Sequence, residues 1–124
     1  MKELVYGELT QKVRQAAFDV HHYFGNGFLE KVYENALTYK LRWLGIECQQ
    51  QAPLKVYFEN KVIVGEYFAD LVVENKIIIE LKAVENLEKI HFAQLKHYLK
   101  TTGFRLGILI NFGRTKLEFK RVVL

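Results

Sequence analysis

The chain has 124 residues, of which 50% are hydrophobic and 14% aromatic, so it is long enough and apolar enough to fold around one core. This composition excludes a disordered chain, and no apolar stretch approaches the length of a membrane-spanning helix. Residues 1–85 hold 10 Lys and Arg against 12 Asp and Glu, whereas residues 86–124 hold 8 against 2. A basic C-terminal third suits a polyanionic ligand.

Two helices are predicted at the start of the chain. Apolar residues at helical spacing predict the first over about residues 8–23, and Gly25-Asn26-Gly27 ends it. The second is predicted from about Phe28 to Leu44, with Gly45 as its C-cap.

Strands dominate the rest of the chain, interrupted by a third helix. That helix is predicted over about Leu87–Thr102, with Asn86 as its N-cap and Gly103 at its end. The predicted strands are Leu54–Phe58, Val62–Val73, Lys76–Lys82, Phe104–Asn111 and Lys116–Val123. The order is ααβββαββ, and the crossover through the third helix favours a mixed α/β sheet that contains a parallel pair.

Three charged residues near one predicted hairpin are the strongest functional signal. Glu80 and Lys82 share a strand face, because residues two apart point to the same side. A three-residue loop, Glu74 to Lys76, would place Asp70 directly opposite Glu80. A two-residue loop, Glu74-Asn75, would instead turn Asp70 to the other face.

Two carboxylates that face each other across a hairpin destabilise it unless a positive group lies between them. A divalent cation would serve, since Mg²⁺ is commonly held by one or two carboxylates together with water and phosphate oxygens. Asp70 and Glu80 are therefore predicted metal ligands, with Lys82 beside them.

Residues 62–82 resemble the core of the PD-(D/E)xK phosphodiesterases, which place an Asp on one strand and Glu-x-Lys on the next. Asp70 and Glu80-Leu81-Lys82 supply these elements, while Ala69 stands where the superfamily has proline. The segment from Gly27 to Tyr33 resembles the signature of the small bacterial GxxExxY family, and Gln94 to Tyr98 is similar to the QxxxY element of RecB-type nuclease domains. The resemblance covers nearly the whole chain, so residues 1–124 are expected to form one domain with a restriction-endonuclease-like fold.

The resemblance implies a Mg²⁺- or Mn²⁺-dependent nuclease. The ion would be held by Asp70, Glu80 and the Leu81 carbonyl, with Glu30 as a third carboxylate. Lys82 would act on the attacking water and the phosphate, and Gln94 would hold Lys82 or a phosphate oxygen. Tyr98 and a set of basic residues are candidate nucleic-acid contacts. The basic residues are Lys96, Lys100, Arg105, Arg114, Lys116, Lys120 and Arg121.

Two rival interpretations stay open at this point. The same fold could hold nucleic acid without cutting it, or it could be a subunit that meets another protein. DNA is the expected substrate, and a homodimer would supply the two sites that a duplex cut requires. The single cysteine, Cys48, cannot form an intrachain disulfide, and no secretory signal is visible, so a cytoplasmic protein is expected.

Overall fold

The computed structural model describes residues 5–124. Its elements follow the order ααβββαββ, as predicted. The helices are α1, Gly7–Phe24; α2, Glu30–Trp43; and α3, Lys89–Thr102. The strands are β1, Cys48–Phe58; β2, Val62–Val73; β3, Ile77–Lys82; β4, Leu106–Asn111; and β5, Glu118–Val123. Among the described residues, no helix combines the length and the apolar character needed to cross a bilayer.

The five strands form one mixed sheet in the order β1-β2-β3-β4-β5. Strands β3 and β4 are parallel, and the other neighbouring pairs are antiparallel. Helix α3 connects the parallel pair, as the predicted crossover required. The mixed α/β fold class is therefore confirmed, and β3 lies at the centre of the sheet.

Helices cover both faces of the sheet, so the central strands are buried on both faces. Helices α1 and α2 pack on one face, where Ile77, Ile79 and Leu81 point from β3. Helix α3 packs on the other face, where Ile78 points. Burial on both faces explains the continuous run of apolar residues in β3, because a strand with one solvent-exposed face alternates apolar and polar residues.

The β1–β2 and β2–β3 hairpins turn through the same tripeptide, Glu-Asn-Lys. The Glu and Asn of each loop have positive φ, at Glu59-Asn60 and again at Glu74-Asn75. In the second hairpin Val73 pairs with Ile77, which is the register of a three-residue loop. The register that places Asp70 opposite Glu80 is therefore the one the protein adopts.

Several element boundaries differ from the sequence prediction, and two of the differences have an identifiable reason. Strand β1 begins at Cys48 rather than Leu54, because Cys48, Gln49 and Gln50 already pair with β2. Helix α3 begins at Lys89 rather than Leu87, and Glu88 is its N-cap instead of Asn86. The side chains of Glu88 and His91 complete a capping box there, so His91 has a structural role at the helix start.

Strands β1 and β2 change face together at Gln51 and Asp70. Ala69 and Leu71 are two residues apart and would share a face in a regular strand. Leu71 nevertheless packs under α1 and α2, whereas Ala69 packs under α3. Gln51 has a φ of 51°, and the pairing of the two strands skips Gln51 and Asp70. The side chains of these two residues therefore leave the regular pattern of the sheet.

Candidate active site

Asp70 and Glu80 meet where the β2–β3 pairing ends. The last paired residues are Leu71 and Ile79, so Asp70 and Glu80 occupy the next position. The backbone N–H of Asp70 donates to Glu80 Oε2 at 3.2 Å, and Leu81 N–H donates to Asp70 Oδ2 at 2.8 Å. Each carboxyl group thus accepts a bond from a backbone N–H of the opposite strand, which fixes its position at the point where the strands separate.

Burial changes the protonation of this pair. Glu80 is only 3% exposed. Its burial, followed by its hydrogen bond with Asp70 and the negative charge there, raises the pKa of Glu80 to about 9. The pair by itself therefore carries a proton at neutral pH, because two adjacent carboxylates in this environment are too costly to ionise together.

Lys82 extends from the same strand as Glu80 toward α3. Its Nζ lies 3.4 Å from Gln94 Oε1, and Gln94 Nε2 donates to the Tyr98 hydroxyl at 3.2 Å. The positive charge of Lys82 acts on Glu80, since it opposes the rise in the pKa of that carboxyl group. The predicted ExK pair and the predicted QxxxY pair thus form one chain of contacts.

Tyr98 is buried, which bears on the role predicted for it. It was predicted to contact nucleic acid, but it is only 5% exposed and packs in the cluster beneath α3. Burial raises the pKa of its hydroxyl, and the nearby Glu80 adds to this effect. Its ring is therefore covered and not open for stacking on a base, and its hydroxyl accepts a hydrogen bond from Gln94.

Glu30 approaches the site from the first turn of α2. It is partly buried, and burial raises its pKa; the negative charge of Asp70 raises it further, while Lys82 lowers it. The three groups are therefore electrostatically coupled. Glu30 forms no side-chain hydrogen bond with Asp70 or Glu80, so it does not belong to their immediate pair.

Two further residues join the site without having been predicted. Glu34 lies one helical turn after Glu30 and is 2% exposed. Its Oε1 accepts a hydrogen bond from Gln51 Nε2 at 2.9 Å, and the same nitrogen lies 3.3 Å from Asp70 Oδ1. The four-residue spacing from Glu30 was a signal for Glu34. Nothing local in the sequence marks the positive φ of Gln51.

The donor set is compatible with a hard divalent cation, although it is small. Within residues 5–124, no group of three or more His, Cys, Asp or Glu residues is arranged to hold a metal ion. Asp70 and Glu80 supply two carboxyl groups at one point, which is the number that Mg²⁺ commonly takes beside water and phosphate oxygens. A cation there would have to displace the proton of Glu80.

The strand end that carries Lys82 is held firmly by a buried amide. Asn111 is fully buried beside it on β4 and pairs with Lys82 across the parallel ladder. The Asn111 side chain accepts from Val84 N–H at 3.0 Å and donates to the Val84 carbonyl at 2.9 Å. A Cβ on Gly113 would lie 2.3 Å from Val84 backbone atoms, so glycine is required for this close approach.

The predicted basic contacts do not gather in one place. Lys96 and Lys100 lie on the exposed face of α3. Arg114 and Lys116 line a cavity of about 500 Å³ between α1 and β5, together with Arg14 and Lys120. Arg105 precedes β4, at the end of the sheet opposite Lys82, so the structure does not bring it to the site.

The chain is similar to one protein family and to a solved structure. The family model described as the PD-(D/E)XK nuclease superfamily matches residues 7–122. Among solved structures, the crystal structure of SSO0001 matches with a TM-score of 0.59 at 20% identity, which bears on the fold alone. That match covers 92% of this chain and 62% of the SSO0001 chain, so the chain spans less than two thirds of that relative. No protein among curated sequences matches this chain.

Proposed function

The chain belongs to the PD-(D/E)XK nuclease superfamily, and from this premise we propose that it is a metal-dependent nuclease acting on DNA. The observation that carries the proposal is the Asp70–Glu80 pair with Lys82 beside it. A buried carboxyl group with its pKa raised to about 9 has no evident packing role at the end of an isoleucine strand. It is a reasonable ligand for a cation that replaces its proton.

The proposed division of roles follows the contacts. Asp70, Glu80 and the Leu81 carbonyl would hold Mg²⁺ or Mn²⁺, with Glu30 in support from α2. The bound ion would lower the pKa of a water molecule and neutralise the scissile phosphate. Lys82, oriented by Gln94, would orient the attacking water and stabilise negative charge on the phosphoryl oxygens.

DNA as the substrate is supported by charge. Residues 86–124 hold 8 Lys and Arg against 2 Asp and Glu. Exposed members of this set lie on α3 and around the cavity between α1 and β5, where they can meet phosphates on more than one side. Lys96, Lys100, Arg114 and Lys116 therefore remain proposed DNA contacts, whereas Arg105 is too far from the site to act with it.

A homodimer belongs to the proposal because a cut through both strands needs two sites. The tip of the β1–β2 hairpin extends past β3 and exposes apolar side chains, which supports self-association. They are Tyr57, Phe58, Val62, Ile63, Val64 and Phe68. Light scattering would test the dimer: Val64→Glu should convert a dimer to a monomer, whereas a wild-type monomer would exclude it.

Gly27, Glu30 and Tyr33 support membership of the bacterial GxxExxY family, and Tyr33 is buried with its hydroxyl bonded to the Gly25 carbonyl at 2.7 Å. We propose that residues 1–124 form one nuclease-like domain that works in the cytoplasm, where the buried thiol of Cys48 would stay reduced.

The test is an assay of purified protein on labelled DNA and RNA, single- and double-stranded, with Mg²⁺, Mn²⁺ or EDTA. Cleavage of DNA that requires a divalent cation and stops in EDTA would support the proposal. Salt-sensitive binding without any cleavage would favour a nucleic-acid-binding module instead. If neither binding nor cleavage occurs on any substrate, a protein-interaction subunit becomes the better interpretation.

A further inference from the structure

We infer that Gln51 is a positioning residue that orients Asp70 for cation binding, with Glu34 holding its amide in place. This inference rests on the proposed function and adds a residue that the PD-(D/E)XK elements in this sequence do not include. The first observation is the backbone. Gln51 has a φ of 51°, in the left-handed region that a residue with a side chain rarely adopts inside a strand. Such strain persists where the surroundings impose it, and it often accompanies function.

The left-handed conformation of Gln51 coincides with an interruption in the pairing of β1 with β2. Pairing between β1 and β2 joins Gln50 to Leu71 and Ala52 to Ala69, but it skips Gln51 and Asp70. The Asp70 N–H donates across the other edge of β2, to Glu80 Oε2. The change of face at Gln51 therefore accompanies the contact that brings the two carboxyl groups together.

The side chain of Gln51 completes the arrangement. Its Nε2 has two hydrogens, and it lies 2.9 Å from Glu34 Oε1 and 3.3 Å from Asp70 Oδ1. Asp70 Oδ2 accepts from Leu81 N–H at 2.8 Å, so both oxygens of Asp70 have a donor. A carboxylate held at both oxygens cannot rotate, and each oxygen keeps a second lone pair for a cation.

Glu34 determines which way the Gln51 amide faces. Glu34 is 2% exposed, with its Oε2 2.9 Å from Lys31 Nζ and its Oε1 facing Gln51. An amide placed between two carboxylates presents its NH₂ group to both, because its carbonyl oxygen would be repelled by them. The link from α2 through Gln51 to Asp70 thus connects the helix of Glu30 to the proposed cation ligands.

Gln51→Gly is the informative variant. Glycine adopts positive φ without strain, so the substitution removes the amide and leaves the backbone conformation available. Gln49→Ala is the matched control, because Gln49 is an exposed residue of the same strand. The readouts are Mn²⁺ affinity, from the electron paramagnetic resonance signal of free Mn²⁺, the melting temperature without metal, and kcat and KM on DNA.

We expect Gln51→Gly to weaken Mn²⁺ binding about 10- to 100-fold, the range seen when residues that orient metal ligands are replaced. The melting temperature should fall by a few degrees at most, because Glu34 loses the Gln51 donor but keeps Lys31, and kcat should fall while KM for DNA is retained. Gln49→Ala should match wild type throughout. In an Asp70→Asn background, Gln51→Gly should cause no further loss of Mn²⁺ affinity, since its effect passes through Asp70.

Gln51→Asn is a second variant in case Gln51→Gly fails to fold. Asparagine also tolerates positive φ and keeps an amide, but it is too short to reach both carboxylates, so the same loss is expected. Measurable Mn²⁺ binding by wild type that both variants leave unchanged would overturn this inference alone. No Mn²⁺ binding by wild type would overturn the proposed function and this inference with it.

Discussion

Replacing Glu80 by glutamine should stabilise the metal-free protein in a pH-dependent way. The pKa of Glu80 is raised from 4.5 to about 9 in the folded chain. A raised pKa means that the folded state keeps a proton which the unfolded state releases, so stability is greatest at low pH and falls as pH rises from about 4.5 to about 9. Glutamine does not titrate, and therefore Glu80→Gln removes this loss of stability with rising pH.

The expected gain in stability follows from the shift in the pKa of Glu80. At pH 7 the unfolded carboxyl group gains about 3 kcal/mol from ionisation that the folded one does not share, at about 1.4 kcal/mol per pKa unit. Glutamine can mimic the protonated acid, because its carbonyl can accept the Asp70 N–H and its NH₂ can face the Asp70 carboxylate. For a domain of this size, about 3 kcal/mol corresponds to a rise in melting temperature of roughly 10 °C.

The assay is thermal or urea unfolding of both proteins in EDTA at several pH values. The two should have similar stability at pH 5, and the advantage of Glu80→Gln should grow through pH 7 to pH 9. Glu66→Gln, at an exposed position of β2, is the control and should change stability little at any pH. A difference between Glu80→Gln and wild type that does not vary with pH would refute the assigned protonation.

Four further outcomes are expected. Asp70→Asn should leave the metal-free protein as stable as wild type or more stable at pH 7, within about 1 kcal/mol by urea unfolding, because its amide oxygen can still accept the Leu81 N–H; a large loss would mark Asp70 as structural. Lys82→Ala should abolish DNA cleavage while Mn²⁺ affinity persists, whereas Lys61→Ala, in an exposed hairpin loop, should cleave normally. Asn111→Leu should destabilise the protein by about 2–4 kcal/mol in urea unfolding, since the Val84 N–H and carbonyl lose their buried partner. DNA affinity, measured by fluorescence anisotropy between 50 and 200 mM salt, should fall steeply with salt; a flat response would exclude phosphate contacts as its basis.

Local pattern was sufficient for the elements, and it reduced the register of the central hairpin to two alternatives, of which the protein adopts the three-residue loop. Both Glu-Asn-Lys loops contain Asn at a position with positive φ, which this residue tolerates better than most. The strand alternation then placed Glu80 and Lys82 on one face of β3. These features depend on residues that are close in sequence, so a short stretch of sequence is enough to predict them.

Other features of the site depend on residues far apart in the chain, and no short window contains them. Gln51 meets Asp70 only when β1 pairs with β2, and Glu34 meets Gln51 only after α2 packs beside that hairpin. Tyr98 was assigned to nucleic acid because its helix position shows which residues share its face, but not whether that face is covered. The structure buries it between α3 and the sheet.

The sequence by itself therefore determined the order of the elements and the mixed sheet, and it marked Asp70 and Glu80 as the candidate pair. Periodicity, turn residues and loop length are local and carry that information directly. Only the tertiary structure decided that Glu80 is buried deeply enough to hold a proton at neutral pH. It also decided that Gln51 takes a left-handed conformation, at the point where β1 and β2 change face. Burial and a left-handed residue within a strand depend on everything packed around them, and those neighbours assemble only when the chain folds.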